Sequence, residues 1–170
     1  MSNKDLLDNI KKLRELTGVG FKDCKLALDE TNGDIEKSIE FLRKKGIAKA
    51  SKRMGKVASE GLICIHEDGN KFSILEINSE TDFVAKNNEF INFAEETSKL
   101  ALTHQGKLNE VLKAKMKNSK TVEDSLVNLI SKIGEKITIR RCDYVDDKNF
   151  MNFSYTHSAL KKNVGKLGVL

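Results

Sequence analysis

Long apolar runs are missing from this 170-residue chain: apolar residues make up 39% of it and are interleaved with charge. No stretch approaches the roughly 20 consecutive apolar residues that a membrane span needs. The opening string MSNKDLLDNIKK has acids among its lysines and no apolar segment, which argues against a secretion signal, so the expected compartment is the cytoplasm. Cysteine is scarce. Cys24, Cys64 and Cys142 are odd in number and far apart, which excludes a disulfide framework and a paired zinc-ligand spacing and leaves small buried thiols as the expectation. Cys64-Ile65-His66 could supply two metal ligands, but no second close-spaced pair accompanies them, and the residues call for no metal or cofactor. Histidine occurs only at 66, 104 and 157, with no nucleophile–base spacing around it, so an enzyme is not expected. Glu80 and Asp82 share a face if extended, but acids beside a helix cap are far commoner than a catalytic dyad. Neither GxxxxGK[ST] nor a strand-borne GxGxxG is present, so the chain carries no phosphate loop of its own.

Arginine is scarce as well. The formal net charge is +5, but only five of the 30 basic residues are arginine, the side chain whose planar fork grips phosphates and reads bases. The excess is at the front: residues 1–60 carry 14 basic and 10 acidic side chains, the remainder 16 and 15. A basic nucleic-acid or ribosome-associated adaptor, using Lys49, Lys52, Arg53 and Lys56, is therefore the second reading, and direct nucleic-acid binding is not the expected function.

What is present begins with three amphipathic helices. Leu6, Ile10 and Leu13 share one face of a helix from about Asp5 to Leu16. After the break at Thr17-Gly18-Val19-Gly20, a helix from Phe21 to Thr31 presents Cys24, Ala27 and Leu28, and Asn32-Gly33 suits its C-terminal cap. Asp34 can cap a third helix with Ile35, Ile39 and Leu42 on its stripe, closing in Arg43-Lys44-Lys45 and stopping at Gly46. Helices this short cannot bury much separately, so residues 1–46 should form one small bundle. The turn between the first two helices has two readings: a tight connection with Phe21 packed inside, or an exposed binding corner with Val19 and Phe21 at its tip.

Residues 47–60 read as a basic connector, and residues 61–145 as an α/β core. GLICIHEDGNKFSILEIN alternates on both sides of a hairpin turn, placing Leu62, Cys64 and His66 on one face. Phe90, Phe93, Ala94, Thr97, Leu100 and Ala101 recur at helical spacing, as do Val122, Leu126, Leu129, Ile130 and Ile133 after a capping-box start at Thr121 and Asp124. KITIRRCDYV from Lys136 is a third strand. The fold class is thus α+β: a helical module, then a small antiparallel sheet with helices on one face. At the strand-to-helix junction, Thr81 or Asp82 can cap the next helix. Phe83 and Val84 then either fold inward as a hydrophobic staple or leave Phe83 outside as a wedge.

Three blocks carry a resemblance. LRELTGVGFKDCKLALDETNGDIEKSIEFLRKKG resembles the ubiquitin-associated-like N-terminal module of the elongation factor Ts family; ILEINSETDFVAKNNEF resembles that family's most characteristic segment; SKIGEKITIRR resembles a third block in the same order, with Lys136 where asparagine is common. The resemblance implies a guanine nucleotide exchange factor whose partner is elongation factor Tu, a GTPase carrying GDP and Mg2+. It implies that Arg14, Phe21 and Lys22, with Val19 at the same corner, touch the partner's GTP-binding domain, and that Thr81, Asp82, Phe83 and Val84 disturb its magnesium site. SYTHSALKKNVGKLGVL resembles the opening of a second core half, with Tyr155 and His157 matching a YxH element and His157 a further contact residue. From this, residues 146–170 are expected to be a sheet cut short, with 158–170 mobile or paired with another molecule, and self-association through the core is left open.

Overall fold

The computed structural model describes residues 3–170; Met1 and Ser2, the first two positions of the front module, lie outside them. Helices α1 (Asn3–Thr17), α2 (Phe21–Glu30) and α3 (Ile35–Arg53) form the front module. Ile10, Leu13, Cys24, Ala27, Leu28 and Leu42 close on one another as a separate apolar cluster. Their local signals act as expected: Asn32 and Gly33 take positive φ, and Asp34 accepts the Lys37 N–H at 3.0 Å as N-cap. The expected stop at Gly46 is wrong. Helix α3 runs seven residues further, because Gly46 is a crossing point rather than a terminator: a Cβ there would meet Ser131 at 3.4 Å on a helix of the core. Ser38, Leu42, Gly46 and Ala50 are the buried row of α3, whereas Ile39 is exposed.

Asp23 ties α2 to α3 through Lys49 at 2.7 Å and Lys45 at 2.9 Å. Hydrogen bonds from Lys49 and then Lys45 hold its carboxyl below the ordinary 3.8. A depressed folded value means that the contribution is complete above 3.8 and is lost as the pH falls from there through the folded value. Asp23→Asn is expected to cost about 1 kcal/mol at neutral pH and to flatten the dependence of Tm on pH below that point, read by thermal melts of both proteins. A fragment ending at Lys45 retains every member of the module's apolar cluster. Its helical circular dichroism is expected to persist, and a coil spectrum would show that the module borrows its core from beyond Gly46.

In the core, β1 (Glu60–Asp68) and β2 (Lys71–Ser79) form an antiparallel hairpin around Gly69-Asn70, and β3 (Ile137–Val145) pairs with β2. Helices α4 (Asp82–Ala85), α5 (Asn88–Thr103), α6 (Leu108–Lys113) and α7 (Val122–Ile133) lie between β2 and β3 in sequence. Helix α5 packs across β1 and β2, and α3 against α7. Thr121 caps α7 as the capping-box pattern implies, accepting the Asp124 N–H at 3.0 Å. Beyond β3 come β4 (Tyr155–His157), β5 (Val164–Gly165) and β6 (Leu167–Val169). The main sheet has the order β3-β2-β1-β5, so Val164, Cys64, Leu75 and Cys142 make one row across all four strands on the helix-covered face.

Residues 158–170 depart from expectation. They pair within the chain, β5 with β1 and β6 with β4, rather than lying mobile or seeking another molecule. Gly168 explains how the second ribbon seats: a Cβ there would stand 2.5 Å from Ile63 Cγ2, so only glycine lets β6 lie against the sheet face that the helices leave open. The outer side of that ribbon, with Tyr155, Leu167 and Val169, is exposed. Among the described residues no helix is long and apolar enough to cross a membrane.

Candidate functional site

The sequence-expected residues fall into two groups. At the module corner, Thr17 folds its hydroxyl back onto the Leu13 carbonyl at 2.6 Å and accepts the Val19 N–H at 3.3 Å, while Gly18 takes the left-handed conformation, φ 68°. This turn points Phe21 outward from the first position of α2, where it is 45% exposed; Lys22 next to it and Arg14 in the last turn of α1 are exposed too. Val19 is different. It is partly buried against the module cluster, so the packed reading fails at Phe21 and the exposed-corner reading holds for Phe21 but not for Val19.

The second group lies just after β2. Thr81 occupies the N-cap position of the one-turn helix α4, but its side chain does not cap it. Its hydroxyl instead donates to Glu135 Oε1 at 2.8 Å, and its backbone N–H donates to Glu135 Oε2 at 3.0 Å. The expected capping by Thr81 therefore fails: its side chain is turned toward a carboxylate contributed from just beyond α7 and accepts no N–H of the helix. Asp82 does not cap either. It points outward, half-exposed, and is paired at 2.7 Å with Lys86, whose hydrogen bond holds the carboxyl below its ordinary value. Phe83 is 80% exposed, whereas Val84 and Ala85 are buried in the main core. One helical turn thus separates inward from outward residues within two positions: Phe83 stands off the surface while its neighbour anchors it. The inward staple formed by Val84 does not include Phe83.

The two groups flank the end of α7. A Cβ at Gly18 would stand 3.2 Å from Lys132 Nζ, in the last turn of α7, and Lys132 itself is paired with Glu89 at 2.6 Å; Glu135, three residues further on, holds Thr81. His157 is elsewhere, on β4, where its Nδ1 lies 3.1 Å from the Tyr155 hydroxyl and both rings are exposed. Cys64 is fully buried, and burial pushes its thiol up to about 12, as befits a packing residue. Burial, and then Lys99, lowers the pKa of His66, its companion in the triplet. Among the described residues no group of three or more His, Cys, Asp or Glu could hold a metal ion.

Residues 80–170, which begin at the Glu80-Thr81-Asp82-Phe83 turn, match the family model described as elongation factor TS. The chain belongs to the elongation factor Ts family. The elongation factor Ts of Methylorubrum populi is 48% identical to it over 162 residues, 95% of this chain and 53% of that protein. Those of Xanthobacter autotrophicus and Methylobacterium radiotolerans are 46% and 45% identical over the same shares. The chain spans about half the length of the curated elongation factor Ts relatives it matches. Sequence reasoning on this chain missed Glu135. A lone glutamate after a helix-ending glycine carries no local signal that it will grip a residue 54 positions earlier.

Proposed function

We propose that this chain is a guanine nucleotide exchange factor of translation elongation, which binds elongation factor Tu and promotes GDP release without chemistry of its own. Membership of the elongation factor Ts family supports the reading, and the observation that carries it is Phe83. An aromatic side chain left 80% exposed on a turn whose next two residues are buried is free apolar surface on a fixed base. Asp82 beside it is ionised and outward.

In this reading Phe83 inserts into a pocket of the partner near its magnesium, with Thr81 and Asp82 at the rim and Val84 as anchor. Magnesium bridges phosphate oxygens to protein ligands, so disturbing its shell removes much of the nucleotide's electrostatic hold. Linkage supplies the direction: a protein that binds the nucleotide-free conformation more tightly weakens nucleotide affinity by the same factor. Arg14, Phe21 and Lys22, with Val19 supporting them, form the second contact, on the partner's GTP-binding domain, and His157 a third. The test is the release of fluorescently labelled GDP from elongation factor Tu. Nanomolar to micromolar amounts of this chain are expected to accelerate it, and no acceleration at any concentration would overturn the reading.

A further inference from the structure

Three stretches far apart in sequence meet at the base of the Phe83 turn. Gly134 ends α7 in the left-handed conformation, φ 84°, and so swings the next two residues toward the end of β2. Glu135 then accepts both the N–H and the hydroxyl of Thr81. In exchange, Glu80 Oε1 accepts the Lys136 N–H at 2.6 Å, so residues 80–81 and 135–136 clasp each other with side chain to backbone in both directions. Lys136 reaches on with its ammonium to the carbonyls of Met54 and Lys56, at 2.7 and 2.8 Å, at the exit of α3, and Arg53 lies 3.6 Å from Glu80 on the same side.

Helix α4 has four residues, too few to hold itself in water, and its N-cap hydroxyl gives it nothing. Burial of Val84 and Ala85 holds the far end of the turn. Its near end, where Asp82 and Phe83 leave the sheet, rests on the Glu135 carboxylate.

We propose that Glu135 and Lys136 are positioning residues: Glu135 fixes the direction of Asp82 and Phe83, and Lys136 fixes the same turn to the end of α3, the helix that carries the front module. The two contact regions are thereby held in one relation before any partner arrives. The functional half of this inference rests on the exchange reading above. An apolar tip that is already ordered avoids the cost of ordering on binding, and a turn that is competent only part of the time lowers apparent affinity by that fraction. Loss of the clamp should therefore act on the concentration of factor needed rather than on the rate at saturation.

The test uses the full chain and two readouts. In the free protein, Glu135→Ala is expected to speed hydrogen exchange of the Thr81 amide by about tenfold, the value of a charge-assisted hydrogen bond, while the Leu75 and Ile77 amides of β2 keep their protection. In labelled-GDP release, the half-saturating concentration should rise by about tenfold with little change in the maximal rate. Glu135→Gln, which keeps one carbonyl acceptor, should restore part of both, and Lys136→Met should raise the half-saturating concentration by about threefold. In a Phe83→Ala background, Glu135→Ala should add little, since a positioning residue has nothing left to position. Unchanged Thr81 protection, or losses that multiply across the double variant, would overturn the proposal. If Glu135→Ala also lost β2 protection, Glu135→Gln would carry the same comparison. If the unaltered chain released no GDP, the exchange reading would fall, and Thr81 hydrogen exchange alone would decide the clamp.

Discussion

Replacing Phe83 by alanine is expected to slow catalysed GDP release by about ten- to a hundredfold while leaving the melting temperature within a degree or two. Both halves follow from one number. The side chain is 80% exposed in the free chain, so its removal opens no cavity, and whatever apolar burial it provides is gained only against the partner. Burying a phenylalanine is worth about 1.5–3 kcal/mol, and about 1.4 kcal/mol is a factor of ten in an equilibrium. Asp82→Ala should also impair release, by less, because Lys86 already engages its carboxylate and competes with any partner group. Measuring exchange rate and Tm on the same preparations separates the wedge from a structural role: a large loss of stability with unchanged exchange per folded molecule would refute it.

Gly61→Ala is expected to do the opposite, lowering stability and exchange together. Gly61 has φ 148°, and a Cβ there would stand 2.1 Å from the Ile77 carbonyl oxygen of the neighbouring strand, with the Asn78 Cα at 2.7 Å. Both obstacles are backbone, so no rotamer change relieves them. Strained φ and overpacking each cost about 1–3 kcal/mol, and together they should exceed about 3 kcal/mol in a denaturant titration. The pairing Gly61↔Asn78, next to Glu60↔Ser79, is the end of the hairpin from which Glu80 and Thr81 emerge. Forcing β1 and β2 apart there moves the base of the Phe83 turn as well. A variant with wild-type stability would mean that this end of the hairpin can open without cost.

The sequence showed the elements more readily than the faces. Period and punctuation located the three long strands and every long helix but the end of α3 to within a few residues, and Asp34 and Thr121 cap where their side chains suggested. It misjudged Gly46, since a glycine in a helix reads as a stop unless a neighbouring helix is known to cross there. It could not assign the faces of KITIRRCDYV either. A bulge between Glu76 and Ile77 of the pairing leaves Arg140 as the extra residue; Ile137, Ile139 and Cys142 can then all turn inward, and Arg140 and Arg141 both reach Glu76, at 2.9 and 2.7 Å. Phe83 lay undecided between staple and wedge for a similar reason: on a single turn of helix, one step decides whether a side chain points inward or outward.

By itself the sequence determined the α+β class, the helical front, the hairpin, and through its ILEINSETDFVAKNNEF block the family, because apolar period, caps and turn residues act over only a few positions and survive being read one window at a time. The tertiary structure alone decided that α3 runs through Gly46 into the core, that the last thirteen residues pair within the chain, that Phe83 stands outside while Val84 anchors it, and that Thr81 is held by Glu135. Those outcomes depend on which surfaces meet in space, and the contacts of Gly46, Thr81 and β5 join residues more than 50 positions apart, where close packing and carboxylate hydrogen bonds choose partners that no local pattern names.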